Sequence, residues 1–509
     1  MYLKIYNLIF CFTSISYLYS IYNSVKDILF IWSILMTKTD KLELFERTPV
    51  LTAIIKLAVP TVFGQIILVV YNMRDTFFIG LTGSDVKISA VTVCMPAFMF
   101  LSAISNLFGV GGSTEVSRSL GRKMPARAGY ASAFALWCCV ITTLLYSLSA
   151  FVFRDIFLDL LGGKDPAVHA ASMGYLMVTV VIGGLGTSLN GLFAHLIRSE
   201  GNSAIASVGI MAGGIMNIRL DPLFMFVLLP EGNEVLGAGI ATAVSNLAAT
   251  LFFFAVIYIR RKRSALRFRI CEGVLDPSIA QRIFSVGLPA CMMTLLENVS
   301  YRMLDNLIAL NGTARQAGVG VAKKVNMLAH CIVRGMTQGV LPLIAYNYAA
   351  GNTKRTADTV KLSVTISVSL AMLCTMANLL LARQLIGLFI QSEGASLVYG
   401  MRFLRILCLG GPFSACRYSF ISFFQAVGQG TKSFVLAIMR KGIFDMPLMQ
   451  LLKNVSPLYG VVAATPIADF ICCMVSIRMF YRFSLILKQD YHSEEKDESL
   501  HRFRLLRHE

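Results

Sequence analysis

The residues of this sequence that could do chemistry are carboxylates and amides inside apolar runs. Asp75 lies in one such run, with Asn72 about one helical turn earlier. Asn217 and Asp221 are four apart in another, hence on one face of any helix formed there, and Thr242 lies in the next run. A charge at the bilayer centre costs about 2.5–3.5 kcal/mol on insertion scales, so each Asp needs a reason to be there. Two carboxylates with amide and hydroxyl oxygens suit Na⁺, a hard cation that seeks oxygen. The same carboxylates, desolvated and repelling each other, would instead hold and release a proton. For a lone Asp the alternative is a polar anchor paired with Arg74 or Arg219.

The elements that must position these groups are membrane helices. Runs of about 20 apolar residues are long enough to span a bilayer, and lipid tolerates no irregular backbone, so each run is read as helical. They fall near 54–80, 88–110, 128–153, 170–197, 204–229 and 236–259, then 281–309, 318–345, 357–382, 397–425, 433–453 and 458–484. The expected fold class is an all-α polytopic membrane protein with twelve transmembrane helices in two six-helix lobes. The lobes cover 46–260 and 281–485, flanked by an extension (1–45), a basic linker (261–280) and a polar tail (486–509). Counted from the assigned outer ends, Asp75, Asp221 and Thr242 share a depth of roughly 7–12 Å.

The chain has 509 residues, of which 56% are hydrophobic and 15% charged, yet Lys+Arg 46 against Asp+Glu 28 leaves a net charge of +18. In a soluble protein that excess would point to nucleic acid or acidic partners. Here the basic residues collect in alternate loops, among them Arg122 and Lys123 after the second span, Arg260–Arg263 after the sixth and Lys354–Arg355 after the eighth. By the positive-inside rule those loops and both termini are cytoplasmic, in a multi-pass cell-membrane protein without nucleic-acid partners. The twelve cysteines mostly lie inside apolar runs with no C-x-x-C pair, and read as small buried hydrophobes. "GQGTKS" at 428–433 separates Gly from Lys by Thr431, so it is not a phosphate loop. No nucleophile, base and metal-ligand set clusters as an enzyme would need, and no cofactor is expected beyond a coupling ion. Residues 1–35 break the alternation, and we read translation as starting at Met36; an intact mass that includes Met1 would refute this.

The halves repeat. "LAVP" (57–60) returns as "VGLP" (286–289), 229 residues on; Gly121 pairs with Gly351 at 230, and Gly201 with Gly428 at 227. An even number of helices per half makes the repeat parallel, an architecture in which one half rocks against the other about a central site.

"LAVPTVFGQIILVVYNMRDTFFIG" (57–80), "GVGGSTEVSRSLG" (109–121), "IRSEGN" (197–202), "NIRLDPLF" (217–224), "SVGLPA" (285–290), "GVLPLIAYNYAAGN" (339–352), "FFQAVGQG" (423–430) and "AATPIAD" (463–469) together resemble the multidrug and toxic compound extrusion (MATE) family, bacterial branches in particular. The resemblance covers roughly residues 45–485. It implies a cleft open alternately to each side, and export of small organic compounds, amphipathic and often cationic, against Na⁺ or H⁺ entry, by a monomer. It also implies a first-lobe cation site of Asp75, Asp221, Asn217 and Thr242, with Asn190 an approximate match; with Na⁺, Asp75 and Asp221 would ligate it. Glu297, Asn72 and Arg417 are the candidate substrate contacts. Glu297 matches a second-lobe acid of some members, its alternative being an ion pair with Arg302 or Arg417. Arg219, at a position usually apolar, and Arg417, at the repeat counterpart of Asn190, depart from the pattern. They keep open a second function, a flippase for lipid-linked oligosaccharides, which would have a more cationic cleft.

Overall fold

The computed structural model describes residues 41–80, 82–309, 312–390 and 394–505, with the side chains of 41, 42, 72, 75–77, 313, 314 and 486–505 outside that description. The expectation for residues 1–35 lies outside the described residues. Because apolar runs in lipid must satisfy their own backbone, they form helices, and the described residues contain no strand.

The first lobe comprises α1 (Val50–Gly80), α2 (Asp85–Gly121), α3 (Pro125–Val152), α4 (Pro166–Leu176, Met177–Ile182 and Gly184–Ser199), α5 (Ser203–Leu223, extended by Phe224–Leu228) and α6 (Glu234–Ile259). The second comprises α7 (Pro277–Ala309), α8 (Thr313–Ala349), α9 (Thr353–Leu380), α10 (Ala395–Cys408 and Gly411–Ala426), α11 (Gly430–Ile438, Met439–Asp445 and Met446–Val455) and α12 (Tyr459–Leu505). Among the described residues, nine of these are continuous helices long and apolar enough to cross a membrane.

The other three, α4, α10 and α11, were expected to be uninterrupted and are not. In α4 a π-helical stretch ends at Gly183, where a Cβ would meet that of Ala243 at 2.8 Å. In α10 the break at Gly410 lets α12 approach, a Cβ there lying 3.1 Å from Pro466 Cα. In α11, Pro447 has no N–H for the Ile443 carbonyl, and the preceding Met439–Asp445 is wound as π-helix. That winding turns Arg440, Lys441 and Asp445 inward, where all three are buried.

The lobes meet along two seams, α1 against α8 and α2 against α7. Glycine makes the second seam close: a Cβ on Gly287 would sit 2.0 Å from the Leu107 carbonyl oxygen, and one on Gly111 2.3 Å from that of Ile283. The repeat is visible in the turns, since Gly201 and Gly428 take φ 82° and 79°. The partner of Gly351 (φ 76°) is Lys123 (φ 60°), two residues beyond the Gly121 that sequence alignment selects. Gly121 serves packing instead, a Cβ there lying 2.3 Å from the Tyr346 carbonyl oxygen. A short helix, Lys41–Glu46, docks at the basic-loop end. The Phe45 carbonyl accepts from Asn347 Nδ2 (3.1 Å) and Arg355 Nε (2.7 Å), so residues 44–45, expected in the extension, are built into the core.

Candidate functional site

In the first lobe, the spacing of four on α5 aligns Asn217 with Asp221, and α6 brings Thr242 against them. Asn217 Nδ2 donates to Asp221 Oδ1 and to Thr242 Oγ1, both at 3.3 Å. The three are 1%, 0% and 4% exposed, so any ion must displace protein from around them. Asn217 Oδ1 has no hydrogen-bond partner among the described residues, which leaves a buried oxygen able to ligate a hard cation. Asn72 and Asp75 lie in α1, which packs against α5, but their side chains are outside the described residues. Arg74 lies 4.9 Å from the Phe78 ring centroid. Asn190 is drawn elsewhere: its Nδ2 donates to Asn246 Oδ1 (3.0 Å), whose own amide donates to Thr187 (3.2 Å). Thr242, Asn246 and Thr250 are spaced by four, so this pair forms the next turn of one polar stripe down α6. No three His, Cys, Asp or Glu side chains gather among the described residues.

The second lobe holds a larger buried charge network that sequence reading did not find. Asp469 on α12 accepts from Arg440 Nε (2.5 Å) and Nη2 (3.1 Å), and Arg417 Nε lies 3.6 Å from it. Glu297 accepts from Arg334 Nη2 (2.7 Å), with Arg440 Nη1 at 3.7 Å on its other oxygen. Its ion-pair partners are therefore neither Arg302 nor Arg417. Arg417 is 0% exposed and stacked 4.2 Å over Tyr418, behind the cleft wall rather than on it. Asp445, unexplained from sequence, binds Lys441 Nζ (2.5 Å), Ser300 (2.6 Å) and Thr465 (3.0 Å). The "RKGIFD" string at 440–445 carried a signal for it, an opposite-charge pair four apart inside an apolar run.

Between the lobes lies a cleft that is partly open to solvent. Ser113, His195 and Arg198 line it from the first lobe, and Arg334, Gln338 and Tyr418 from the second. Its described lining contains two arginines and no Asp or Glu. Hydrogen bonds cross from lobe to lobe here, Asn106 to Thr294 (3.0 Å) and Gln65 to Gln338 (3.2 Å). At the basic-loop end, Glu115 of α2 draws Arg127 (3.2 Å) and, across the seam, Arg282 of α7 (3.4 Å). Just before α7, the Asp276 carboxylate accepts from the Ser278 backbone N–H and hydroxyl, which hold its pKa below the usual range.

Two six-helix lobes facing a polar cleft, with ionisable groups buried behind it, make the architecture of a secondary transporter. The chain belongs to the MatE family, whose model matches twice, at residues 60–223 and 289–451, starting 229 residues apart as the sequence repeat does. It is 29% identical over 447 residues to the multidrug export protein MepA of Staphylococcus haemolyticus (strain JCSC1435), covering 87% of this chain and 96% of that one. The fold is similar to a MATE crystallised in complex with MaL6 (TM-score 0.81, 23% identity, 89% of this chain and 100% of that one). It is also similar to an outward-facing conformation of a multidrug resistance MATE family transporter (TM-score 0.80, 22% identity, 88% and 99%).

Proposed function

We propose that the protein is a secondary active exporter, an antiporter that moves amphipathic drugs or metabolites out across the cell membrane against entry of Na⁺ or H⁺. The observation that carries this reading is the Asp221 group, fully buried in one lobe and separate from the cleft. An ion reaches Asp221, Asn217 and Thr242 only when the first lobe rearranges, whereas substrate sits between the lobes. Each ligand then biases the same two arrangements by its own difference in affinity. Asp75 and Asn190 complete the proposed coupling set. With Na⁺, the Asp75 and Asp221 carboxylates would be its ligands; with H⁺, one of them would carry the proton. The charge alternation supports cytoplasmic termini. Since both lobes come from one chain, a monomer is complete.

The test is transport by protein reconstituted in vesicles, with Na⁺ and pH gradients imposed independently. Norfloxacin is a suitable probe, an amphipath with both a carboxylate and an ammonium. One gradient should drive its accumulation; movement indifferent to both would refute antiport. The arginines of the cleft favour a second reading, the flippase for lipid-linked oligosaccharides. The named relatives favour export. Scrambling of a labelled lipid-linked sugar, with norfloxacin left unmoved, would select the flippase.

A further inference from the structure

From the cleft lining we infer that the substrate class includes amphipaths carrying an anionic group, a carboxylate, sulfonate or phosphate, seated between Arg198 and Arg334. Arg198, near the end of α4, is 2% exposed, and its Nε and Nη2 have no hydrogen-bond partner among the described residues. Taking a guanidinium out of water without an acceptor is costly, and this one lines the cleft from the first lobe. Arg334 lines the opposite wall. Its guanidinium is held by Glu297 and by the Tyr418 hydroxyl, which fix it in the wall with further N–H donors beyond these two contacts. A planar fork of N–H donors matches an oxyanion in geometry as well as charge. The amides of Gln338 and Gln425 also line the cleft, and no carboxylate on the described lining opposes an anion. The apolar body of such a ligand meets Val110, Met293 and Ile421. With one guanidinium lining the cleft from each lobe, a ligand that engages both walls links the lobes, so the same contacts that bind substrate report occupancy to the alternation. Zwitterions qualify as well as anions.

This inference rests on the exporter reading for its consequence but not for its test, which is equilibrium binding to the purified full chain without any gradient. The probes are a matched pair of equal shape and opposite charge, 2-naphthalenesulfonate and trimethyl(2-naphthyl)ammonium. The sulfonate should bind at least about tenfold more tightly. Arg198→Gln should remove most of that preference, weakening the sulfonate and if anything tightening the ammonium, while Arg198→Lys keeps part of it. Should Arg198→Gln fail to fold, Gln338→Glu places a carboxylate on the opposite wall and should weaken the sulfonate while tightening the ammonium. Undecaprenyl phosphate as competitor separates sources of the anion: displacement of the sulfonate shows that a lipid phosphate also qualifies, and no displacement confines the site to soluble amphipaths. Equal or tighter binding of the ammonium to the unmodified protein, or Arg198→Gln without effect on the sulfonate, would overturn the inference. A retained sulfonate preference without gradient-driven transport of either probe would overturn the exporter reading alone.

Discussion

Replacing Lys441 by Met leaves Asp445, 0% exposed, as a carboxylate held only by the hydroxyls of Ser300 and Thr465. Breaking a buried pair by removing one partner costs about 3–5 kcal/mol, because the other charge stays in a medium that cannot solvate it. Coulomb's law gives a similar scale, about 4 kcal/mol for unit charges 4 Å apart at an effective dielectric of 20. The two hydroxyls, already bound to the carboxylate, keep it partly solvated, so Lys441→Met should cost about 3 kcal/mol, the lower end of that range. Asp445→Leu strands the Lys441 ammonium with only the Ser300 hydroxyl and the face of the Tyr301 ring and should cost about 4 kcal/mol. In the double variant neither charge remains, and apolar replacement of a buried pair is often neutral; two lost hydroxyl contacts leave about 1–2 kcal/mol. The cycle therefore predicts a coupling of about 5 kcal/mol. It can be read from reversible denaturant unfolding of the protein in mixed micelles. A Lys441→Met variant within about 1 kcal/mol of the parent, or a coupling near zero, would refute the reasoning.

Four further outcomes follow from the same geometry. Gly287→Val pushes a side chain into the Leu107 carbonyl, 2.0 Å from where Cβ would lie, and should lower the melting temperature or prevent folding, read by fluorescence-detected size exclusion; unchanged melting would contradict the seam. Cysteines at Asn106 and Thr294, whose side chains now touch at 3.0 Å, should cross-link the lobes on oxidation and stop norfloxacin transport until reduced. Arg355→Ala removes donors to the Phe45 and Thr48 carbonyls and should expose residues 41–48 to limited proteolysis, while the parent resists. Asp276 has a lowered folded-state pKa, so its stabilising effect is present above the unfolded value and is lost as pH falls through the folded one. Asp276→Asn should flatten the acid limb of a melting-temperature profile and leave neutral pH nearly unchanged.

The parts of the molecule written as local patterns were legible in the sequence. Apolar runs and alternating loop charge located all twelve helices, and a spacing of four put Asn217 and Asp221 on one face, where they hydrogen-bond. The repeat paired Gly201 with Gly428, and both take a left-handed backbone. What could not be read depends on partners far apart in the chain. Glu297 was weighed against Arg302 and Arg417, but the fold pairs it with Arg334 and Arg440, and the guanidinium of Arg302 instead donates to the Thr92 carbonyl (3.3 Å). Asp469 stood inside a quoted motif without a role, because only the winding of α11 brings Arg440 to it. The helix breaks were missed for a similar reason, since hydropathy counts apolar length and is blind to a shift in the hydrogen-bond ladder.

The central claim is that the Asp221 group couples ion entry to export, and comparing two modes of transport in one variant tests it most directly. Vesicles containing Asp221→Asn should still exchange labelled for unlabelled norfloxacin across the membrane at equilibrium, since the cleft is untouched. The same vesicles should fail to accumulate norfloxacin under whichever gradient, Na⁺ or H⁺, drives the parent protein. Exchange retained with accumulation lost is the predicted result; accumulation at the parental rate would contradict the account.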